Sequence, residues 1–153
     1  MTAPSPEPRS RPQRIRDTLR RLTDETDAWV ATASRDGHPC LVPLWFLWDN
    51  GTFLLCTRRT TPTARNLADG EAPVTLSLGH TRDVVLVQGT GRTVDATELP
   101  TASADAFAAR FDWDPRDDPD WTYLRITPRT VRAWHEEPEL PGRLIMRAGE
   151  WRS

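Results

Sequence analysis

The residues with the clearest chemical potential lie in the stretch 53–67, which reads FLLCTRRTTPTARNL. Its pattern predicts that a strand ends near Thr57 and that a short helix starts near Thr63 and stops at Gly70. Backbone N–H groups at a helix start, threonine hydroxyls and guanidinium groups are all donors that bind phosphate. The stretch therefore predicts a site for the phosphate of a mononucleotide, and an ordinary helix cap flanked by solvated arginines is the alternative.

A second candidate is the neighbouring run 41–46, which reads LVPLWF. An aromatic-rich strand beside a phosphate site could receive a flat ring. A tryptophan that buries roughly 200 Å² contributes up to ~5 kcal/mol, whether it packs in a core or against a ligand. Core packing is thus the alternative interpretation of Trp45, and more strongly of Trp48.

The composition excludes several kinds of chemistry. All 20 basic residues are arginine, so no lysine can form a Schiff base, and any side-chain charge on a phosphate must come from arginine. The three histidines are scattered without the spacing of a metal site, and the two cysteines are too few for a thiolate site. We therefore expect no metal, and no residue stands out as a catalytic acid or base.

Net charge and hydropathy argue against nucleic acid and membranes as binding partners. The chain has 153 residues and a formal net charge of −2, which gives no field to attract nucleic acid. Its apolar runs are too short to span a membrane, and two cysteines fit a reduced cytoplasmic setting. Hydrophobic residues make up only 37% of the chain, which predicts a small hydrophobic core. An interface shared with another subunit could help to complete that core.

The elements that must position these residues can be outlined from periodicity. Residues 1–13 are predicted to be a disordered tail, and residues 14–153 a single domain. Helices are predicted over 14–26, 63–68 and 99–111. Strands are predicted over 28–34, 38–48, 52–58, 74–78, 83–95, 121–134 (broken at Pro128) and 143–151, the last with an Ala-Gly turn inside it.

Two predicted hairpins within about 30 residues indicate an antiparallel meander and not a βαβ unit. A proline inside a strand lacks a ladder donor, so Pro43 implies an edge, a bulge or a break. The predicted fold class is mainly β with minor α: a six- to seven-stranded antiparallel barrel, closed or partly closed, with short helices.

The order of four motifs, WVATASRDG, LVPLWFLWD, FLLCTRRTTPTARNL and APVTLSL, resembles the pyridoxamine 5'-phosphate oxidase-like superfamily of flavin and deazaflavin oxidoreductases. The resemblance spans about 28–151. It implies a split β-barrel homodimer with two flavin sites at the subunit interface, and it implies a small-molecule substrate.

The resemblance also implies which residues bind the cofactor. The strand facing the isoalloxazine ring would contribute Val42, Pro43, Leu44 and Trp45, and Val84 would approach the ring from the fifth strand. The phosphate end would be held by Cys56, Thr57, Thr61 and Thr63, next to Asn66. Many relatives carry Arg-Lys or Lys where this chain has Pro62 and Thr63, and Arg58 and Arg65 are the substitutes available for that charge. The pyridoxine-recognising residues have no clear match, so pyridoxamine phosphate is not the expected substrate.

Three functions remain open at this stage. The first is an oxidoreductase that binds FMN, or alternatively the deazaflavin coenzyme F-420, and transfers hydride or electrons to an unknown small substrate. The second is a flavin or flat-ligand module that binds or senses without turnover. The third is an interaction protein whose empty barrel only dimerises.

Overall fold

A computed structural model describes residues 6–153 of the chain. Its helices are α1 (Arg11–Asp24), α2 (Pro62–Asn66) and α3 (Thr101–Phe111), with 3₁₀ turns at Pro115–Asp117 and Glu137–Glu139. Its strands are β1 (Asp27–Ala33), β2 (Pro39–Asp49), β3 (Thr52–Arg58), β4 (Ala72–Leu78), β5 (Asp83–Val94), β6 (Trp121–His135), β7 (Leu144–Arg147) and β8 (Glu150–Trp151). None of the described helices combines the length and the apolar character needed to cross a membrane.

The strands form one antiparallel sheet in the order β3-β2-β1-β4-β5-β6-β7-β8, and β3 also pairs with β6. That extra pairing closes the first six into a barrel and leaves the β7–β8 hairpin as an extension. The predicted mainly-β barrel is confirmed. The strands number eight where six or seven were predicted, because the last predicted strand turns back at Ala148 and Gly149, which both have positive φ.

The barrel interior is filled by alternate side chains of the strands, and α1 covers it with a stripe of apolar residues. Leu22 is fully buried against this core, and Ile15 and Leu19 pack on it, as their predicted spacing requires. The buried interior residues include Val30, Phe46, Phe53, Leu55, Leu76, Val87, Leu124, Ile126 and Val131.

Strand β6 is continuous through Pro128, where the sequence predicted a break. The register jumps from Gln88↔Thr130 to Gly89↔Pro128, so Arg129 is an extra residue with no partner on β5. The bulge reverses the alternation of β6, whose even-numbered residues Leu124 and Ile126 face the barrel core before it and whose odd-numbered residues Val131 and Ala133 face the core after it. A Cβ at Gly89 would overlap the Thr127 carbonyl oxygen, so the bulge requires glycine at that position.

Residues 6–13, the second part of the segment predicted to be disordered, are ordered in the structure. Residues 1–5 lie outside the described part of the chain, but α1 already begins at Arg11, three residues before the predicted boundary. The Ser10 hydroxyl caps the helix by accepting from Gln13 N, and Arg9 pairs with Glu139 at 2.8 Å. The tail's composition suggested disorder, yet the Ser10 cap fixes the start of α1 and the Arg9–Glu139 pair attaches it to the segment after β6.

A second apolar cluster lies outside the barrel wall, where α3 packs against β3 and β6. Leu54 and Cys56 point to this outer cluster while their neighbours Phe53 and Leu55 point into the barrel. Strand β3 is therefore buried on both faces. Helix α3 thus places its aromatic end, at Phe107 and Phe111, over the outer surface of β2 and β3.

Candidate functional site

The first half of β2 has a free edge. In the part of the chain that the structure describes, the ladder between β2 and β3 covers only Phe46–Asp49, although β2 starts at Pro39. Phe46 N donates to Thr26 O on the other side, so the alternation of the ladder turns even-numbered residues of β2 towards β1. The backbone N–H and C=O of Leu41 and the C=O of Pro43 consequently face the open side. Of the three alternatives that Pro43 implied, an edge, a bulge or a break, the structure shows an edge.

A cavity of about 660 Å³ lies where β2 and β3 separate. Its walls come from Pro43–Trp45 on β2, from Cys56 and Arg58 on β3, and from Phe107 on α3. Asp27, Trp113 and Trp121 complete the lining. The volume lies within the usual range for small-molecule sites. The separation of two neighbouring strands, closed over by α3, therefore produces a cavity in the barrel wall.

Aromatic rings dominate this cavity and its rim. Trp45 and Phe111 are stacked with their ring centroids 4.9 Å apart and an interplanar angle of 4°. Trp113 and Trp121 form an edge-to-face pair at 4.6 Å. The Arg58 guanidinium carbon lies 4.8 Å from the centroid of the Trp121 ring, which is a cation–π contact. The cavity therefore offers flat π surfaces and one cation.

A cluster of hydroxyl groups lies beside the cavity, at the junction of β3 and α2. The Thr57 and Thr61 hydroxyl oxygens are 3.3 Å apart, and the Thr63 hydroxyl lies 3.7 Å from the Cys40 sulfur on the free edge of β2. Thr57 and Thr63 are buried. The structure therefore joins two of the predicted threonines, Thr57 and Thr61, and places the third, Thr63, against Cys40, which the sequence did not predict.

Helix α2 is shorter than predicted, because it ends at Asn66 and spans five residues. Pro62 has no N–H, and the N–H of Ala64 is already bonded to the Thr61 hydroxyl at 3.2 Å. The helix start therefore offers fewer free backbone donors than the sequence suggested, and hydroxyl groups are the main donors of the cluster.

The side chains of Arg58, Arg59 and Arg65, the three arginines of the stretch 53–67, point in different directions. Arg58 turns into the aromatic cavity. Arg59 donates to Pro119 O at 2.8 Å and pairs with Asp95 at 3.1 Å. Arg65 is exposed on the far side of α2, where it and Asn66 line a second, polar cleft of about 550 Å³. No single point therefore receives all three charges.

The remaining residues that were predicted to bind the cofactor lie in several different environments. Val42 and Leu44 pack against the barrel core, and Leu44 also borders the cavity. Val84 on β5 pairs with Trp134 on β6 and lies outside the lining of both cavities. Burial raises the pKa of the Cys56 thiol to about 12, so it stays a neutral wall group. No group of three or more metal-ligating side chains occurs within residues 6–153.

The sequence interpretation missed five residues of this region. Cys40 contacts the hydroxyl cluster, and Asp27, Phe107, Trp113 and Trp121 form cavity walls. Leu41 lies in the predicted run 41–46, and its backbone groups belong to the free edge. The three aromatic residues belong to segments predicted as a helix, an acidic loop and a strand start, and nothing local indicated that they meet.

The chain was compared with curated sequences, with solved structures and with models of protein families. Among curated protein sequences, none matches this chain significantly. Solved structures with similar folds include a general stress FMN/FAD binding protein from Xanthomonas citri, with a TM-score of 0.63 and 15% identity over 84% of this chain and 93% of that one. The haem storage protein HutZ from Vibrio cholerae matches with a TM-score of 0.65 and 14% identity over 78% and 93%.

An F420 reductase is a third structural neighbour, with a TM-score of 0.56 and 22% identity over 72% of this chain and 91% of the other. The model of the family described as pyridoxamine 5'-phosphate oxidase matches residues 15–135, far more than half of the chain. This match includes the free edge of β2, the hydroxyl cluster and every residue that lines the cavity. The chain therefore belongs to the pyridoxamine 5'-phosphate oxidase family.

Proposed function

We propose that this protein binds a flavin, FMN in the first instance, in the gap between β2 and β3, and that it acts as an oxidoreductase on a small substrate. The observation that carries the proposal is the free edge of β2, which runs between the hydroxyl cluster and the aromatic cavity. An isoalloxazine ring has hydrogen-bond donors and acceptors along its pyrimidine edge, and the N–H and C=O of Leu41 and the C=O of Pro43 match that alternation.

The hydroxyl cluster fits the phosphate end of the ligand. Thr57, Thr61 and Thr63 supply neutral donors in a partly water-excluded position, where a hydrogen bond to an anion is strong. Arg58 follows Thr57 on β3, but its guanidinium lies over Trp121 in the cavity, so the hydroxyl groups are the donors for the phosphate. Flavin, when bound, supplies the hydride or electron transfer, while these residues bind and orient it.

FMN is favoured over coenzyme F-420 by the distribution of charge. A long anionic tail requires a row of free cations, but Arg59 is engaged by Asp95 and Arg35 by Asp69. Haem is not proposed, because no histidine lines the cavity within the described residues and the Cys56 thiol stays protonated at neutral pH.

We further propose that the protein is a homodimer. Trp29, Ala31 and Leu41 share the outer face of β1 and β2, where Trp29 is 46% and Leu41 62% exposed. Trp29 is the register partner of Pro43, which lines the cavity, so this apolar face adjoins the cavity. A second copy is the partner that such a self-complementary apolar strand face favours. Sedimentation equilibrium would test this, with Leu41→Arg expected to give a monomer.

Flavin binding is tested by mixing the purified protein with FMN, FAD, riboflavin or coenzyme F-420 and measuring the visible absorbance that remains after gel filtration. We expect Thr57→Val to weaken FMN binding by about tenfold and to leave riboflavin binding unchanged, because riboflavin has no phosphate. Thr127→Val, exposed on β6, is the matched control. A protein that retains none of the four ligands refutes the proposal.

Turnover is tested separately on the flavin-loaded protein. Bleaching of the flavin by reduced nicotinamide, followed by recovery of colour with an electron acceptor, supports an oxidoreductase. A bound flavin that only dithionite reduces supports a binding or sensing module instead.

A further inference from the structure

The aromatic cavity contains an unmatched charge. The Arg58 guanidinium makes no hydrogen bond and no ion pair with any residue of the described chain, and it lies over the Trp121 ring. A stacked guanidinium uses its face and leaves its N–H groups in the ring plane, free for an acceptor. The cavity therefore presents a planar set of unpaired donors beside flat aromatic walls.

Arg58 has no ion-pair partner although acidic residues lie nearby in the chain. The loop 112–120 carries five aspartates. Arg116 forms ion pairs with Asp114 in this loop and with Asp105 on α3, with N–O distances of 2.6 and 2.7 Å. Arg58, next to the same loop through its pairing with Trp121, forms no ion pair with any of these aspartates. Its place over Trp121 is instead the one that faces the cavity.

The lining also contains one carboxylate, Asp27, which belongs to β1 and is the register partner of Trp45. Arg58 lies on β3, on the other side of β2. The cavity thus has a cationic end and an acidic end with aromatic rings between them. A ligand with a single negative charge at one end of a flat ring system matches this polarity, whereas a dicarboxylate places its second charge near Asp27.

We propose that the cavity binds a flat aromatic monocarboxylate, with the carboxylate on Arg58 and the ring against Trp113 and Trp121. The bidentate geometry of a guanidinium suits a carboxylate, and aromatic walls suit a planar ring. In describing this ligand as the substrate, the inference rests on the proposed flavin function. The binding itself does not require flavin and can be measured on the chain alone.

Isothermal titration calorimetry with 2-naphthoate tests the inference. We expect saturable binding that Arg58→Gln weakens by about ten- to a hundredfold, the loss expected for a charge-assisted hydrogen bond. Arg92→Gln is the matched control, because Arg92 lies outside the cavity and pairs with Glu98 at 3.4 Å. The neutral analogue 2-naphthalenemethanol should bind equally to the parent protein and to the Arg58 variant. Trp113→Leu should weaken binding of both ligands.

The outcomes separate this inference from the proposed function. If 2-naphthoate binds both the flavin-free and the flavin-loaded protein and depends on Arg58, the inference is supported. If flavin binds but 2-naphthoate gives no saturable heat, or if Arg58→Gln behaves like Arg92→Gln, the inference fails and the flavin proposal stands. Loss of 2-naphthoate binding on flavin loading also overturns it, because the ring of the flavin then fills the cavity. Naphthoate binding without any flavin binding refutes only the proposed function.

Discussion

Replacing Glu139 by glutamine is expected to lower the free energy of unfolding by about 3 kcal/mol at pH 7. The carboxylate is 3% exposed and accepts four hydrogen bonds, from Arg9 N, Nε and Nη2 at 2.9, 3.0 and 2.8 Å and from His135 N at 2.7 Å. Burial alone raises its pKa, but the bonds from Arg9 and His135 outweigh burial and lower the pKa from 4.5 to about 2. At about 1.4 kcal/mol per pH unit, this shift gives the expected magnitude.

The sign of the pH dependence follows from the lowered pKa. Since the folded-state pKa lies below the unfolded value, the stabilisation is complete above pH 4.5 and is lost as the pH falls towards 2. Urea unfolding should give a difference between the parent protein and Glu139→Gln of about 3 kcal/mol at pH 7 and about half of that at pH 3. Glu98→Gln, at an exposed pair with Arg92, should change stability by less than about 0.5 kcal/mol. An equal difference at both pH values would falsify the assignment of the effect to charge.

Three further predictions test single features of the structure. Tyr123→Phe should raise the free energy of unfolding by about 1 kcal/mol, because the buried Tyr123 hydroxyl has no partner in the described chain; a loss in urea unfolding would contradict this. Gly89→Ala should lower the melting temperature and cost about 2–3 kcal/mol, since the new Cβ would lie against the Thr127 carbonyl; parent-like stability would show that the bulge relaxes. Cys56 should resist iodoacetamide at pH 8 until urea unfolds the protein, because burial raises its pKa to about 12; mass spectrometry of the native protein would reveal early labelling.

Local sequence patterns were enough to predict the elements of the barrel. Strand β3 has the predicted bounds of 52–58, and β5 starts at the predicted Asp83. Both Asn50 and Gly51 adopt positive φ, as a two-residue hairpin turn requires. These predictions succeed because turn chemistry and strand alternation act over a few residues. The fold class then follows, because short antiparallel strands of this number close most readily into a barrel.

The direction of the arginines could not be predicted from their spacing alone. Arg58 and Arg59 are adjacent at a strand end, where alternation sends neighbouring side chains to opposite sides. Arg58 therefore reaches Trp121 while Arg59 reaches Asp95. Arg65 follows one turn of helix later and faces solvent. Proximity in sequence suggested one phosphate site, but the change from strand to helix separates the charges.

Long-range contacts account for the rest of what the sequence could not indicate. The Trp45–Phe111 stack joins β2 to the end of α3, and the Arg9–Glu139 pair joins residues 130 positions apart. Neither contact leaves a local pattern, because each depends on how α3 and α1 cross the finished barrel. The residues before α1 consequently had the composition of a disordered segment although Arg9 is held by the fold.

The gap that carries both proposals has its origin in two prolines of β2. On the side facing β3, the donors of β2 belong to odd-numbered residues, and two of these positions are Pro39 and Pro43. Extending the β2–β3 ladder beyond Phe46 would therefore gain only part of the usual hydrogen bonds, each worth about 0.5–1.5 kcal/mol. Strand β3 instead continues along β6 and leaves the carbonyls of β2 unpaired. The same prolines that weaken the strand thus keep open the edge on which a ring can be held, and the aromatic end of α3 closes the space over it.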